Sequence, residues 1–116
     1  MTVRACRIEE LPPGSRKIVP GGRFGIGVFN SGGALYALAN RCPHDGAPVC
    51  LGPVTGTTES ERSYDAKWIK DGEILRCPWH GWEFELATGK SVALPPKNIR
   101  TYPVRVENGW VIVDDD

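Results

Sequence analysis

Apolar positions along this chain fall in short runs, several of them alternating with polar residues, and glycine or proline punctuates the intervals between them. Successive side chains of a β-strand point to opposite faces, so such runs read as strands joined by tight turns. No segment keeps a helical repeat over three turns. The clearest hairpin is TYPVRVENGWVIVDD, whose Asn108-Gly109 pair suits a two-residue type I′ turn matched to the twist of its strands. That turn sets Glu107 opposite Trp110, Val106 opposite Val111 and Val104 opposite Val113, and the four valines share one face. A second hairpin, FGIGVFNSGGALYALAN, is predicted to turn over Asn30-Ser31-Gly32-Gly33, with Phe29 opposite Ala34 and Val28 opposite Leu35. Glu73-Ile74-Leu75-Arg76 reads as a short strand, WEFEL as another, and Ala87-Thr88-Gly89-Lys90 as a turn. Residues 53–72 are a polar insertion, predicted to be a solvated loop with one or two short strands, pinned to the body by Tyr64 and Trp68.

Composition supports that reading. Gly and Pro number 14 and 10 among 116 residues, about a fifth of a chain whose length suits a single domain. Fourteen basic residues balance fourteen acidic ones, so no net field draws nucleic acid or an anionic membrane. The acids gather only at Asp114-Asp115-Asp116, a solvated tail. No apolar run approaches the ~20 residues of a membrane span. The N-terminal MTVRACRIEELPPG has neither the apolar stretch of a signal peptide nor a twin arginine, so a cytoplasmic protein is expected. Four cysteines are too few for a disulfide scaffold, and in a reducing compartment they are thiols.

The chain has only two histidines, and each stands close behind a Cys-Pro. His44 lies two residues after Cys42 in RCPHDGAPVC, and His80 three after Cys77 in CPWHGWEF. Both groups follow predicted strands, ending at Asn40 and Arg76, so both sit in loops that a sheet can hold rigidly. Buried cysteines beside surface histidines are one reading, although chance rarely places both histidines so. A structural zinc site is another, but its knuckles usually bring a Cys pair or a His pair together. Here each loop supplies one soft and one borderline donor, which suits two different irons. Cys6 and Cys50 have no such neighbours and read as small buried hydrophobes.

CPH at 42–44 with CPWHG at 77–81 resembles the Rieske [2Fe-2S] motif, C-x-H followed by C-x-x-H. The likeness extends from about Val3 to Asp114 and includes ALPPKNIRTYPVRVENGWVIVD, typical of Rieske-type ferredoxins. It implies one all-β Rieske domain over residues 1–116, with an antiparallel base and a small cluster-binding lobe formed by two loops, about 41–50 and 76–84. It implies a [2Fe-2S] cluster, with Cys42 and Cys77 on one iron and His44 and His80 on the other. Pro43 and Pro78 would stiffen the loops, and Pro95 and Pro96 would cover the cluster from the side. Gly46 and Gly81 either let backbone N–H groups approach the cluster sulfurs or are plain turn glycines. Asp45 would stabilise a protonated His44. Trp82 is expected to pack beneath the cluster loop, while Trp79 either packs there or joins a docking face.

Two thiolates balance the charge of an oxidised [2Fe-2S] core, so accepting an electron costs less than with four. Rieske centres accordingly span about −150 to +300 mV, against about −400 mV for plant-type clusters. The respiratory branch of the family carries a further cysteine pair, joined as a disulfide, and hydroxyl residues after the second motif. Here Trp79, Trp82 and Phe84 stand at those second-motif positions. A hydrogen bond to a charged group is worth roughly 1.5–3 kcal/mol. At about 2.3 kcal/mol per 100 mV, each lost hydroxyl lowers the potential by roughly 65–130 mV. A midpoint near the low end of the range follows.

A Rieske oxygenase needs a second, mononuclear iron held by two more histidines and a carboxylate. Both histidines of this chain are already assigned. The expected role is therefore that of an electron carrier and not a stand-alone catalyst, taking electrons from a flavin-dependent reductase and passing them to a terminal oxygenase or other redox enzyme. The alternative is a non-catalytic Rieske-like subunit or redox sensor of a larger complex.

Overall fold

Among the described residues, ten strands and two single-turn 3-10 segments make up the regular structure. The computed structural model describes residues 2–43, 46–59, 67–79, 81–92 and 97–115, with the backbone alone at 57–59 and 67–71. In chain order the strands are β1 (Thr2–Arg7), β2 (Arg16–Val19), β3 (Ile26–Ser31), β4 (Ala34–Ala39), β5 (Val54–Glu59), β6 (Lys67–Arg76), β7 (Glu83–Glu85), β8 (Thr101–Tyr102), β9 (Val104–Glu107) and β10 (Trp110–Asp114). They form three antiparallel sheets, ordered β1-β10-β9, β2-β3-β4-β8 and β5-β6-β7. The all-β antiparallel class expected from the sequence is the one observed. Among the described residues no helix is long and apolar enough to cross a membrane.

The four-stranded sheet separates two cores. Ile26 and Val28 of β3 and Ala37 of β4 pack toward Val111, Val113 and Leu11. The alternate residues, Phe29 and Leu38, pack toward Cys42, Cys77 and Phe84. A strand covered on both faces needs a nearly continuous apolar run, which is what Ile26-Gly27-Val28-Phe29 supplies. Asn30 ends the run. Its buried side chain donates to the Leu11 carbonyl at 2.8 Å and accepts the Gly33 N–H at 2.9 Å, so the polar group is satisfied at both atoms.

The Asn108-Gly109 hairpin has the expected register, with Glu107, Val106 and Val104 opposite Trp110, Val111 and Val113. Positive φ angles of 52° at Asn108 and 79° at Gly109 fit the type I′ turn. Its valine face is not buried evenly. Val111 and Val113 are fully covered, but Val106, on the edge strand β9, is 46% exposed.

The second hairpin differs from expectation. Ser31 pairs with Ala34, Phe29 with Tyr36 and Val28 with Ala37, so the turn is Gly32-Gly33 alone. Both glycines take positive φ, 62° and 95°, which closes a two-residue turn and leaves Asn30 and Ser31 to extend the strand. The shift is two residues, so every side chain keeps its face.

The polar insertion is more regular than expected. β5 and β6 pair antiparallel across it, β6 runs for ten residues, and an irregularity falls between Thr55 and Thr57. Tyr64 and the side chain of Trp68 lie outside the described residues.

Candidate metal centre

The Cys-Pro loops leave the ends of β4 and β6. In the first, the Cys42 N–H donates to the Ala47 carbonyl at 2.7 Å, and the Gly46 N–H donates to the Cys42 carbonyl at 2.8 Å. In the second, the Cys77 N–H donates to the Trp82 carbonyl at 2.7 Å, and the Gly81 N–H to the Cys77 carbonyl at 3.0 Å. The loops repeat one another bond for bond. Aligned on these bonds, CPHDG and CPWHG both read Cys-Pro-x-x-Gly, with the histidine third in one and fourth in the other. Reading the motifs by Cys-to-His spacing alone hides this equivalence.

The glycines close the repeat. Gly46 and Gly81 have φ of 75° and 74°, a left-handed conformation that costs other residues about 1–2 kcal/mol. Their N–H groups are taken up by the cysteine carbonyls of their own loops. Both glycines therefore act as turn residues that close each loop on its own cysteine.

Cys42 and Cys77 are buried to 0% and 1% exposure in one core cluster with Ala47, Val49, Cys50 and Phe84. None of the four cysteines is in a disulfide. Trp82 packs against this cluster as expected, its ring 6.5 Å from that of Phe84. Trp79 lies outside, 57% exposed, and Leu51 between the two loops in sequence is 62% exposed. Cys6 and Cys50 are buried hydrophobes, as expected. Burial pushes the Cys50 thiol up to about 12, against smaller opposing effects from a Gly27 backbone hydrogen bond and the Arg16 charge.

One polar group sequence reading missed is Arg76, at the root of the second loop. Its Nη2 pairs with Glu83 at 3.1 Å, but its buried Nε–H has no acceptor among the described residues. Arg41, at the root of the first loop, crosses the Phe24 ring at 4.6 Å and runs past Gly46. Among the described residues no three His, Cys, Asp or Glu side chains converge. The chain's two imidazoles, His44 and His80, lie outside those residues, as do Asp45, Pro95 and Pro96.

This donor set fits a thiolate-bound metal group: two buried thiols, one per loop, in two loops closed by the same pair of backbone hydrogen bonds. Residues 1–103 match the Rieske [2Fe-2S] domain. The chain belongs to that family. It therefore carries a [2Fe-2S] cluster, a one-electron redox group. It is 31% identical over 113 residues to the 3-phenylpropionate/cinnamic acid dioxygenase ferredoxin subunit of Escherichia coli (strain K12), covering 97% of this chain and 92% of that relative. The Sphingomonas yanoikuyae B1 ferredoxin is 29% identical with a TM-score of 0.74, over 100% of both chains. The ferredoxin of carbazole 1,9a-dioxygenase from Nocardioides aromaticivorans IC177 shares the fold, with a TM-score of 0.76 at 24% identity over 100% of this chain and 99% of that one.

Proposed function

We propose that this Rieske protein is the ferredoxin component of an oxygenase system, in which Cys42 and Cys77 bind one iron and His44 and His80 the other. The observation that carries the assignment is the repeat of the two loops. Each presents one buried cysteine at the same point of the same hydrogen-bonded frame, and each carries one of the chain's two histidines before its closing glycine. When bound, the cluster supplies reversible one-electron chemistry. The protein's part is to hold two thiolates in an apolar core and to bring a partner close to the loops.

Electrons enter from a flavin-dependent reductase and leave to a terminal oxygenase. The relative from Escherichia coli is named as a ferredoxin subunit of a dioxygenase, which supports the second partner. Exposed Trp79 and Leu51, on and beside the loops, supply apolar surface for a transient contact. The protein works in the cytoplasm, and its balanced charge suits neither nucleic acid nor a membrane surface. Its midpoint lies toward −150 mV, because Trp82 and Phe84 offer no hydroxyl to a sulfur.

Iron and sulfide analysis with electron paramagnetic resonance of the dithionite-reduced protein tests the assignment. Two irons and two sulfides per chain, with a paramagnetic reduced state lost in His80→Ala, are expected. Zinc in place of iron, or an intact cluster spectrum in His80→Ala, refutes the ligand set. A midpoint above about +100 mV refutes the reading of the potential. Rapid reduction by a flavin-dependent reductase, followed by reoxidation by an oxygenase, is the expected kinetic signature.

A further inference from the structure

We propose that Arg16 is a positioning residue for the metal centre: from β2 it clamps the turn that ties the roots of the two cysteine loops together. The proposal rests on the reading of Cys42 and Cys77 as ligands. Arg16 Nη1 donates to the carbonyls of Cys50, at 3.0 Å, and Gly52, positions 34 and 36 residues further along the chain. Its guanidinium also lies over the buried Phe29 ring, 5.1 Å from the centre, so the charged head is held by a ring face as well as by two carbonyls.

The turn held in this way touches both loops. On one side the Cys50 N–H donates to Asn40 Oδ1 at 2.9 Å, two residues before Cys42. The Cys50 side chain also fills the space above Gly27, where a Cβ would lie 2.4 Å from its sulfur. On the other side the N–H of Arg76, next to Cys77, donates to the Pro53 carbonyl at 2.9 Å. Gly52 approaches the Arg76 carbonyl so closely that a Cβ would fall 1.8 Å from the oxygen. Residues 50–53 therefore span the two roots, and Arg16 fixes the carbonyls in the middle of that span. Outer groups that orient metal ligands typically change metal affinity by about 10–100-fold when removed.

A lysine keeps the charge but ends one bond short of Nη1, so it separates geometry from electrostatics. The test compares holoprotein of wild type, Arg16→Met and Arg16→Lys by bleaching of the visible cluster absorbance under chelator, by midpoint potential, and by amide hydrogen exchange. Both variants are expected to lose the cluster about tenfold faster or more, while Arg16→Lys keeps the wild-type midpoint. The Cys50 and Arg76 amides should lose protection in Arg16→Lys, with those of β10 unchanged. If Arg16→Met does not fold, Arg16→Lys alone decides. Wild-type durability in Arg16→Lys, or protection lost equally throughout the chain, overturns the proposal. Iron-free wild-type protein overturns the ligand assignment and the proposal with it, whereas iron-bearing wild type with equally durable variants overturns the proposal alone.

Discussion

Replacing Gly52 by alanine drives a methyl group into the backbone of the second cysteine loop. The new Cβ would stand 1.8 Å from the Arg76 carbonyl oxygen, 3.0 Å from its carbon and 3.1 Å from Pro78 Cδ. An ordinary close C···O approach is about 3.3 Å, so the two segments must part by roughly 1.5 Å. Gly52 itself has φ −77° and ψ 167°, extended angles that alanine adopts freely, so the cost is steric and not conformational. Overpacking of this kind costs about 1–3 kcal/mol. Parting also strains the Arg76 N–H to Pro53 carbonyl bond, worth about 0.5–1.5 kcal/mol. The sum, about 1.5–4.5 kcal/mol, lowers the melting temperature by roughly 6–18 °C in a domain of this size. Gly81→Ala is the control. Its φ of 74° is unfavourable by about 1–2 kcal/mol, but no described atom lies closer than 4.0 Å to the new Cβ. Urea denaturation of the two variants, with iron counted per chain, should show Gly52→Ala the less stable and the poorer in iron. Wild-type stability and iron content in Gly52→Ala, or greater damage from Gly81→Ala, would refute the reasoning.

Phe84→Tyr places a hydroxyl in the fully buried cluster that holds Cys42 and Cys77, and one new bond to sulfur raises the midpoint by about 65–130 mV. Protein-film voltammetry reads this, and an unchanged midpoint with an intact spectrum counts against it. Trp79→Ala removes an exposed side chain, so spectrum and melting temperature should hold while the second-order rate of electron delivery to the oxygenase falls roughly tenfold; an unchanged rate removes Trp79 from the docking face. Burial holds the proton on Cys50 up to about pH 12, while an unfolded chain releases it near 8.5. The folded state then binds more protons than the unfolded one across that interval, so this contribution to stability is full below about pH 8.5 and is lost as pH rises toward 12. Cys50→Ala should flatten the decline in urea midpoint between pH 7 and 10.5, and an equally steep decline in the variant contradicts the assignment.

Features that depend on near neighbours along the chain are legible in the sequence. Asn108-Gly109 dictates its own turn geometry, and period-two valines on either side then leave one register, so that hairpin follows from its fifteen residues alone. The Cys-Pro-x-x-Gly pentads are equally visible, because a close-knit loop encodes its cysteine and its closing glycine within five residues. The Gly32-Gly33 turn is less so, since Asn30 and Ser31 are themselves good turn residues, and only the φ angles of the two glycines show where the strand ends. Other features exist only once the sheets have packed. Arg16 carries no local mark of its role; its acceptors lie 34 and 36 residues away and are backbone carbonyls, which every sequence has. Gly27 and Gly52 likewise look like any strand or loop glycine until Cys50 and the Arg76 carbonyl come to rest against them. Contacts of that kind depend on packing between distant segments, and short-range pattern records a residue's own conformational preference but not which distant atom will fill the space beside it.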